Sequence, residues 1–166
     1  MTYMINRLGE LKMMFHLSRR FFSIFLILSI PTSFQVLAEG DYKYHASVFA
    51  GATTYKTMTD STLGVDLERR VSSDLGLVLI ADFAMDNHAH QIVALGLVYH
   101  PIESVKLILA PGVEYRGSAS DFLVRFGAGY DFHLPHHITI GPVIDADFVK
   151  GHATAWVYGL ALGVGF

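Results

Sequence analysis

The sequence predicts an all-β chain, an eight-stranded antiparallel up-and-down transmembrane β-barrel behind a cleaved signal peptide. Three observations point there. Hydrophobic residues make up 52% of the 166 residues and charged ones 16%. Beyond the N-terminal region, though, no stretch is long and apolar enough for a membrane helix. The apolar residues instead recur at every second position, in segments of about ten residues, the length of a tilted bilayer-spanning strand. The segment WVYGLALGVGF shows the pattern most clearly. Trp156, Tyr158, Leu160, Leu162, Val164 and Phe166 form one set, and Val157, Gly159, Ala161, Gly163 and Gly165 the other. Strand side chains alternate between faces, so one face is bulky and apolar and the other nearly bare. A soluble strand would be polar opposite its core. Lipid against the large face and a crowded lumen against the small one suit this pattern.

The N-terminal region is read as a targeting segment. Arg19 and Arg20 precede an apolar run from Phe21 to Ile30, Pro31 breaks the run, and Val36-Leu37-Ala38 precedes Glu39. A basic start, a short apolar run and small residues at the end are what signal peptidase requires. The run is about half the ~20 residues of a spanning helix, which argues against an anchor. Residues 1–38 are therefore expected to be a signal peptide and 39–166 one outer-membrane β-barrel domain.

Eight strands are expected in the remainder: Tyr44 to Lys56, Thr62 to Val71, Leu75 to Met85, His90 to His100, Val105 to Arg116, Asp121 to His133, Ile138 to Val149 and Ala153 to Phe166. The links TMTDS, SSD, DNHA, PIES, GSAS, LPHH and KGH are short and rich in turn formers. Short links join antiparallel neighbours, and a closed meander leaves no free edge. Strand six shows the two faces: Phe122, Val124, Phe126, Ala128, Tyr130 and Phe132 alternate with Leu123, Arg125, Gly127, Gly129 and Asp131. Tyr99, Tyr115, Phe122, Tyr130, Phe132, Phe148, Trp156 and Phe166 sit toward strand ends, as aromatic girdles do.

This pattern resembles the small eight-stranded outer-membrane β-barrel family of Gram-negative bacteria. The resemblance covers residues 39–166 and is most specific in the last strand. It implies that Tyr158, Leu160, Leu162, Val164 and Phe166 are the C-terminal signal read by the barrel-assembly machinery. It also implies outer-membrane lipid as the surrounding partner. With the N-terminus in the periplasm, TMTDS, DNHA, GSAS and KGH face outward. They are shorter than the long outer loops usual for such barrels, which speaks against adhesion.

The set facing the lumen carries the charges: Asp66, Glu68, Arg70, Asp82, Lys106, Glu114, Arg116, Arg125, Asp131, Asp145 and Asp147. Buried charges must pair, and both signs are present, so an internal ion-pair network filling the barrel is expected rather than an ion path. Val78, Ile80, Ile92, Val98 and Ile108 also face inward, as packing or as a pocket for an acyl chain. Pro111 and Pro142 lie inside strands, where they break the ladder by a bulge or a seam. The histidines outside the targeting segment are expected to be solvated near the ends of strands. His88 and His90 share a face without a third ligand fixed by spacing, so no metal is expected. Ser118, Ser120, His88, His152, Asp60, Asp86 and Asp121 could meet at the outer rim, but no nucleophile motif is present, so no catalytic residue is assigned. The absence of cysteine excludes disulfides and thiolate chemistry. A net charge of −3 argues against nucleic acid.

The expected role is therefore structural or envelope-associated and non-catalytic, without a cofactor, in the bacterial outer membrane. A lipid A- or phospholipid-modifying enzyme is the first alternative. A narrow pore or small-ligand-binding barrel is the second.

Overall fold

The computed structural model describes residues 42–85 and 90–166. The expected signal peptide lies outside the described residues, as do Asp86 and His88. Among the described residues no helix is long and apolar enough to cross a membrane. The structure consists of strands: β1 (Tyr44–Tyr55), β2 (Met58–Arg70), β3 (Leu75–Ala84), β4 (Gln91–Tyr99), β5 (Val105–Arg116), β6 (Ala119–Tyr130), β7 (Phe132–Leu134), β8 (Ile138–Val149) and β9 (Ala155–Gly165). All neighbours pair antiparallel, in the order β6-β5-β4-β3-β2-β1-β9-β8-β7, and a β6–β8 ladder closes the ring. The three-residue β7 continues β6 along the same face of β8 in the same register, so the barrel has eight staves.

The break between β6 and β7 falls opposite Pro142. Proline has no N–H to give the ladder. On its other side Asp131 continues the β5–β6 ladder, its N–H donating to the Ser104 carbonyl at 2.7 Å. At this point the chains come so close that a Cβ on Gly141 would collide with the Tyr130 carbonyl. Pro111 has a similar effect on one side of β5. The β4–β5 ladder skips Leu95 and Gly96 against Ala110 and Pro111, while Pro111 stays paired with Val124 of β6. Both prolines are thus tolerated at local gaps in a ladder that is otherwise continuous.

Two links are tighter than the sequence suggests. Met58 to Ser61 belong to β2, so Lys56 and Thr57 alone turn the chain, with Lys56 at φ 55°. The Thr54 and Thr59 hydroxyls meet across that hairpin at 2.9 Å. Strand β6 likewise begins at Ala119, behind Gly117 at φ 59°. Polar residues that resemble a loop in sequence, such as Thr59, Asp60, Ser61 and Ser120, are here the ladder nearest the turn.

The barrel exterior is a continuous apolar belt. Val48, Leu63, Val65, Leu77, Leu95, Leu97, Leu107, Leu109, Ile144, Leu160 and Leu162 are all exposed, Leu95 at 62%. Water would not tolerate an unbroken belt of this size on a monomer. Tyr99, Tyr130, Phe132 and Phe166 ring one end of it, and Tyr115, Phe122, Phe148 and Trp156 the other. Tyr44 and Phe166 stack at 5.8 Å, and mutual backbone hydrogen bonds extend the β1–β9 ladder to Phe166. This is the architecture of a transmembrane β-barrel, with lipid outside and side chains within.

Candidate functional site

The polar chemistry lies in the lumen, and glycines make room for it. A Cβ on Gly64 would strike the Asp82 carboxylate, one on Gly76 the Glu68 carboxylate, and one on Gly127 the Asp145 carboxylate. A Cβ on Gly163 would meet the His45 ring, and on Gly51 or Gly159 it would meet the Phe49 ring at 2.6 or 2.9 Å. The bare face seen in the sequence is therefore a set of notches, each holding a larger side chain from the same or a neighbouring strand.

At mid-barrel the guanidinium of Arg125 organises three carboxylates from β3 and β8. Its Nε donates to Asp147 Oδ1 at 2.7 Å and its Nη2 to Asp147 Oδ2 at 2.8 Å. Nη1 donates to Asp82 and lies 3.5 Å from Asp145 Oδ2. The planar fork of arginine suits this bidentate arrangement, and all four side chains are buried. Lys106 pairs with Asp131 at 3.0 Å. Toward the end that carries the chain's N-terminal side, Glu68 accepts from His100 and pairs with Arg70, both at 2.9 Å. Toward the other end, Glu114 pairs with Arg116 at 2.9 Å and faces His90 at 3.7 Å. Asp66 receives a long hydrogen bond from Ser47, 3.4 Å. Of these charges, Glu68, Asp82, Lys106, Glu114, Arg125, Asp131, Asp145 and Asp147 are buried, and Asp66, Arg70 and Arg116 are partly buried.

The histidines depart from expectation. His90 and His100 are buried at the two ends of β4, not solvated, and His45 is buried against the Thr139 hydroxyl at 2.8 Å. The signal was parity. His90 and His100 continue the inward set Ile92, Ala94, Gly96 and Val98, while His45 continues Ser47, Phe49 and Gly51.

Part of the lumen is apolar. Val78, Ile80, Ile92, Ala94, Val98, Ala110, Leu123 and Val149 pack into one buried cluster, with Ile108 against it. Beside it lies a cavity of about 20 Å³, lined in part by Phe49, Ile80, Asp66 and Arg125. That is room for one water molecule, so an acyl chain does not fit there. Each mouth carries a tyrosine. Tyr42 lies over Gly165, near the rings of His45 and His137 and beneath Arg70. Tyr55, at the far end of β1, has Arg116 of β5 over its ring at 5.4 Å and accepts from the Ala153 N–H.

At the rim near Tyr55, His152 meets Asp121 at 3.3 Å. Ser120 pairs with the outward Tyr115, so it faces away from Asp121. Ser118 lies in the turn after Gly117. Among the described residues, no three histidines or carboxylates are grouped to hold a metal.

No protein-family model and no curated protein sequence matches the chain. Solved structures do. The N-terminal β-barrel domain of Pseudomonas aeruginosa OprF superposes with a TM-score of 0.54 at 15% identity, over 76% of this chain and 100% of that one. This chain has the fold of a small outer-membrane β-barrel. The Yersinia pestis attachment invasion locus protein Ail, solved with the heparin analogue sucrose octasulfate, gives 0.50 at 14% identity, over 78% and 100%. With so few shared residues, the likeness is one of fold.

Proposed function

We propose that the chain is an integral bacterial outer-membrane protein with a structural, non-catalytic role in the envelope. The observation that carries this reading is the filled lumen behind an apolar exterior. Arg125 and its carboxylates occupy mid-barrel, an aliphatic cluster packs beside them, and the cavity there has room for about one water molecule. The fold shared with outer-membrane barrels supports the location. Residues 1–38 would direct export and be removed. The outward face of β9, ending at Phe166, would engage the barrel-assembly machinery before insertion into lipid. The turns at Lys56-Thr57 and Gly117-Ser118 offer little surface for the attachment named for Ail.

The test is fractionation with gel mobility. The protein is expected in the outer-membrane fraction, migrating differently when unboiled. Recovery from the soluble periplasm, with no mobility shift, would overturn the reading. His152 beside Asp121 favours a second reading, a lipid-modifying enzyme. It predicts a changed lipid A or phospholipid mass on expression, lost in His152→Ala; an unchanged mass spectrum rejects it.

A further inference from the structure

Arg69 and Arg70 are neighbours in β2 and so point to opposite faces of the barrel. Arg70 turns inward, where Glu68, the Ser73 carbonyl and the His100 ring hold it. Arg69 turns outward and is exposed. Every other Asp, Glu, Lys and Arg of the described strands is in phase with the inner face. Arg69 is therefore the one charge that these strands present to lipid. They offer it no outward carboxylate, and among the described residues it forms no ion pair, not even with Asp74 in the β2–β3 turn.

The surroundings of Arg69 are those of an interface. It pairs with Tyr44 of β1 and Leu77 of β3, one residue from the end of β2. Phe166 stacks on Tyr44 at 5.8 Å, which fixes that wall. Val71 and Leu75, at the adjoining turn, are exposed. An arginine stem lies along such apolar neighbours while its head reaches the polar layer. There it meets headgroup phosphate, and its planar fork matches two phosphate oxygens. A zwitterionic headgroup also brings an ammonium, which would find no outward carboxylate on these strands. Lys43, exposed and next to Tyr44, adds positive charge at the same end. The face complements an anionic headgroup.

We propose that Arg69 is the headgroup site of one anionic phospholipid, its guanidinium donating to the phosphate and the acyl chains lying on the belt beside Leu67 and Leu77. The inference rests on reading the chain as a membrane barrel. It adds the lipid class and the leaflet, which is the one at the end carrying the chain's N-terminal side.

The test uses the barrel extracted in detergent from membranes of cells expressing the full chain. Native mass spectrometry counts the phosphatidylglycerol and phosphatidylcholine that it retains from an equal mixture. The parent is expected to keep one phosphatidylglycerol in preference. Arg69→Gln should lower that retention roughly fivefold, and Arg69→Lys less, because it keeps the charge but loses the fork. Lys150→Gln removes an equal charge beyond the end of β8, at the opposite mouth, and should leave retention unchanged. An unboiled gel shift shows that each variant is folded; if Arg69→Gln is not, Arg69→Lys decides. Equal retention of the two lipids by a folded barrel overturns this inference alone. So do equal losses in Arg69→Gln and Lys150→Gln, which would mean general charge attraction. A protein recovered from the soluble periplasm, without a gel shift, overturns the membrane reading and this inference with it.

Discussion

Arg125 grips Asp147 with both arms of its guanidinium, at 2.7 and 2.8 Å, across the β6–β8 ladder where the two residues are direct partners. The pair closes the barrel: β6–β8 is the ladder that joins the two ends of the strand order. Arg125→Leu is expected to destabilise the barrel by about 3–5 kcal/mol, because it strands Asp82, Asp145 and Asp147 without their cation. Arg116→Leu is the contrast. Its side chain is 33% exposed, and buried Glu114 keeps His90 at 3.7 Å, so a smaller loss of about 1–2 kcal/mol is expected. Urea unfolding of both variants in micelles checks the difference, and equal losses would mean that Arg125 does not hold the lumen together.

The glycine notches give a second prediction, drawn from two positions on one strand and one face. Gly127→Ala drives a methyl into the Asp145 carboxylate, whereas the nearest atoms to a Cβ on Gly129 lie at 3.5 Å, an ordinary contact. Gly127→Ala is expected to cost about 1–3 kcal/mol and Gly129→Ala little. The same unfolding measurement decides. Loss at Gly129 with tolerance at Gly127 would show that the notch is not fitted to its carboxylate.

Much of this fold was legible because period-two alternation is a direct readout of which face a residue takes. Val105 to Arg116 and Ile138 to Val149 are strands over those very bounds, and Arg125, Lys106 and the other lumen charges follow from parity. What sequence could not supply is pairing. Nothing along the chain joins Arg125 to Asp82, 43 residues away, rather than to another carboxylate of the same face. The burial of His45, His90 and His100 is hard to read in sequence because residues at strand ends are as often solvated as turned inward. The extra length of β2 was missed because threonine and aspartate serve both turns and polar strand ends. The β6–β7 break at Asp131 depends on Pro142 across the ladder, a long-range effect with no local signature.

The filled lumen predicts an electrically silent barrel. In planar bilayers the parent should show no stepwise conductance. Tyr55→Ala opens one mouth, yet it should stay silent, because Arg125 and the aliphatic cluster still block the middle. Conductance steps in Tyr55→Ala but not in the parent would instead place the barrier at the mouth.

The exterior belt separates a membrane barrel from a soluble one by the depth dependence of a buried charge. Leu95 lies at the middle of β4 and Leu134 at the end of β7, beside the turn, and both are exposed. In lipid, an arginine at mid-depth must be dragged from water into hydrocarbon, whereas one near the rim can extend its long side chain to the interface. Leu95→Arg should therefore cost about 2–4 kcal/mol and Leu134→Arg about 0–1 kcal/mol, measured by unfolding from phospholipid vesicles. In water both substitutions would be close to neutral, because each side chain is already exposed. A steep contrast between the two sites thus reports the solvent that the belt was built for. Two small and equal effects would mean that this face does not meet hydrocarbon.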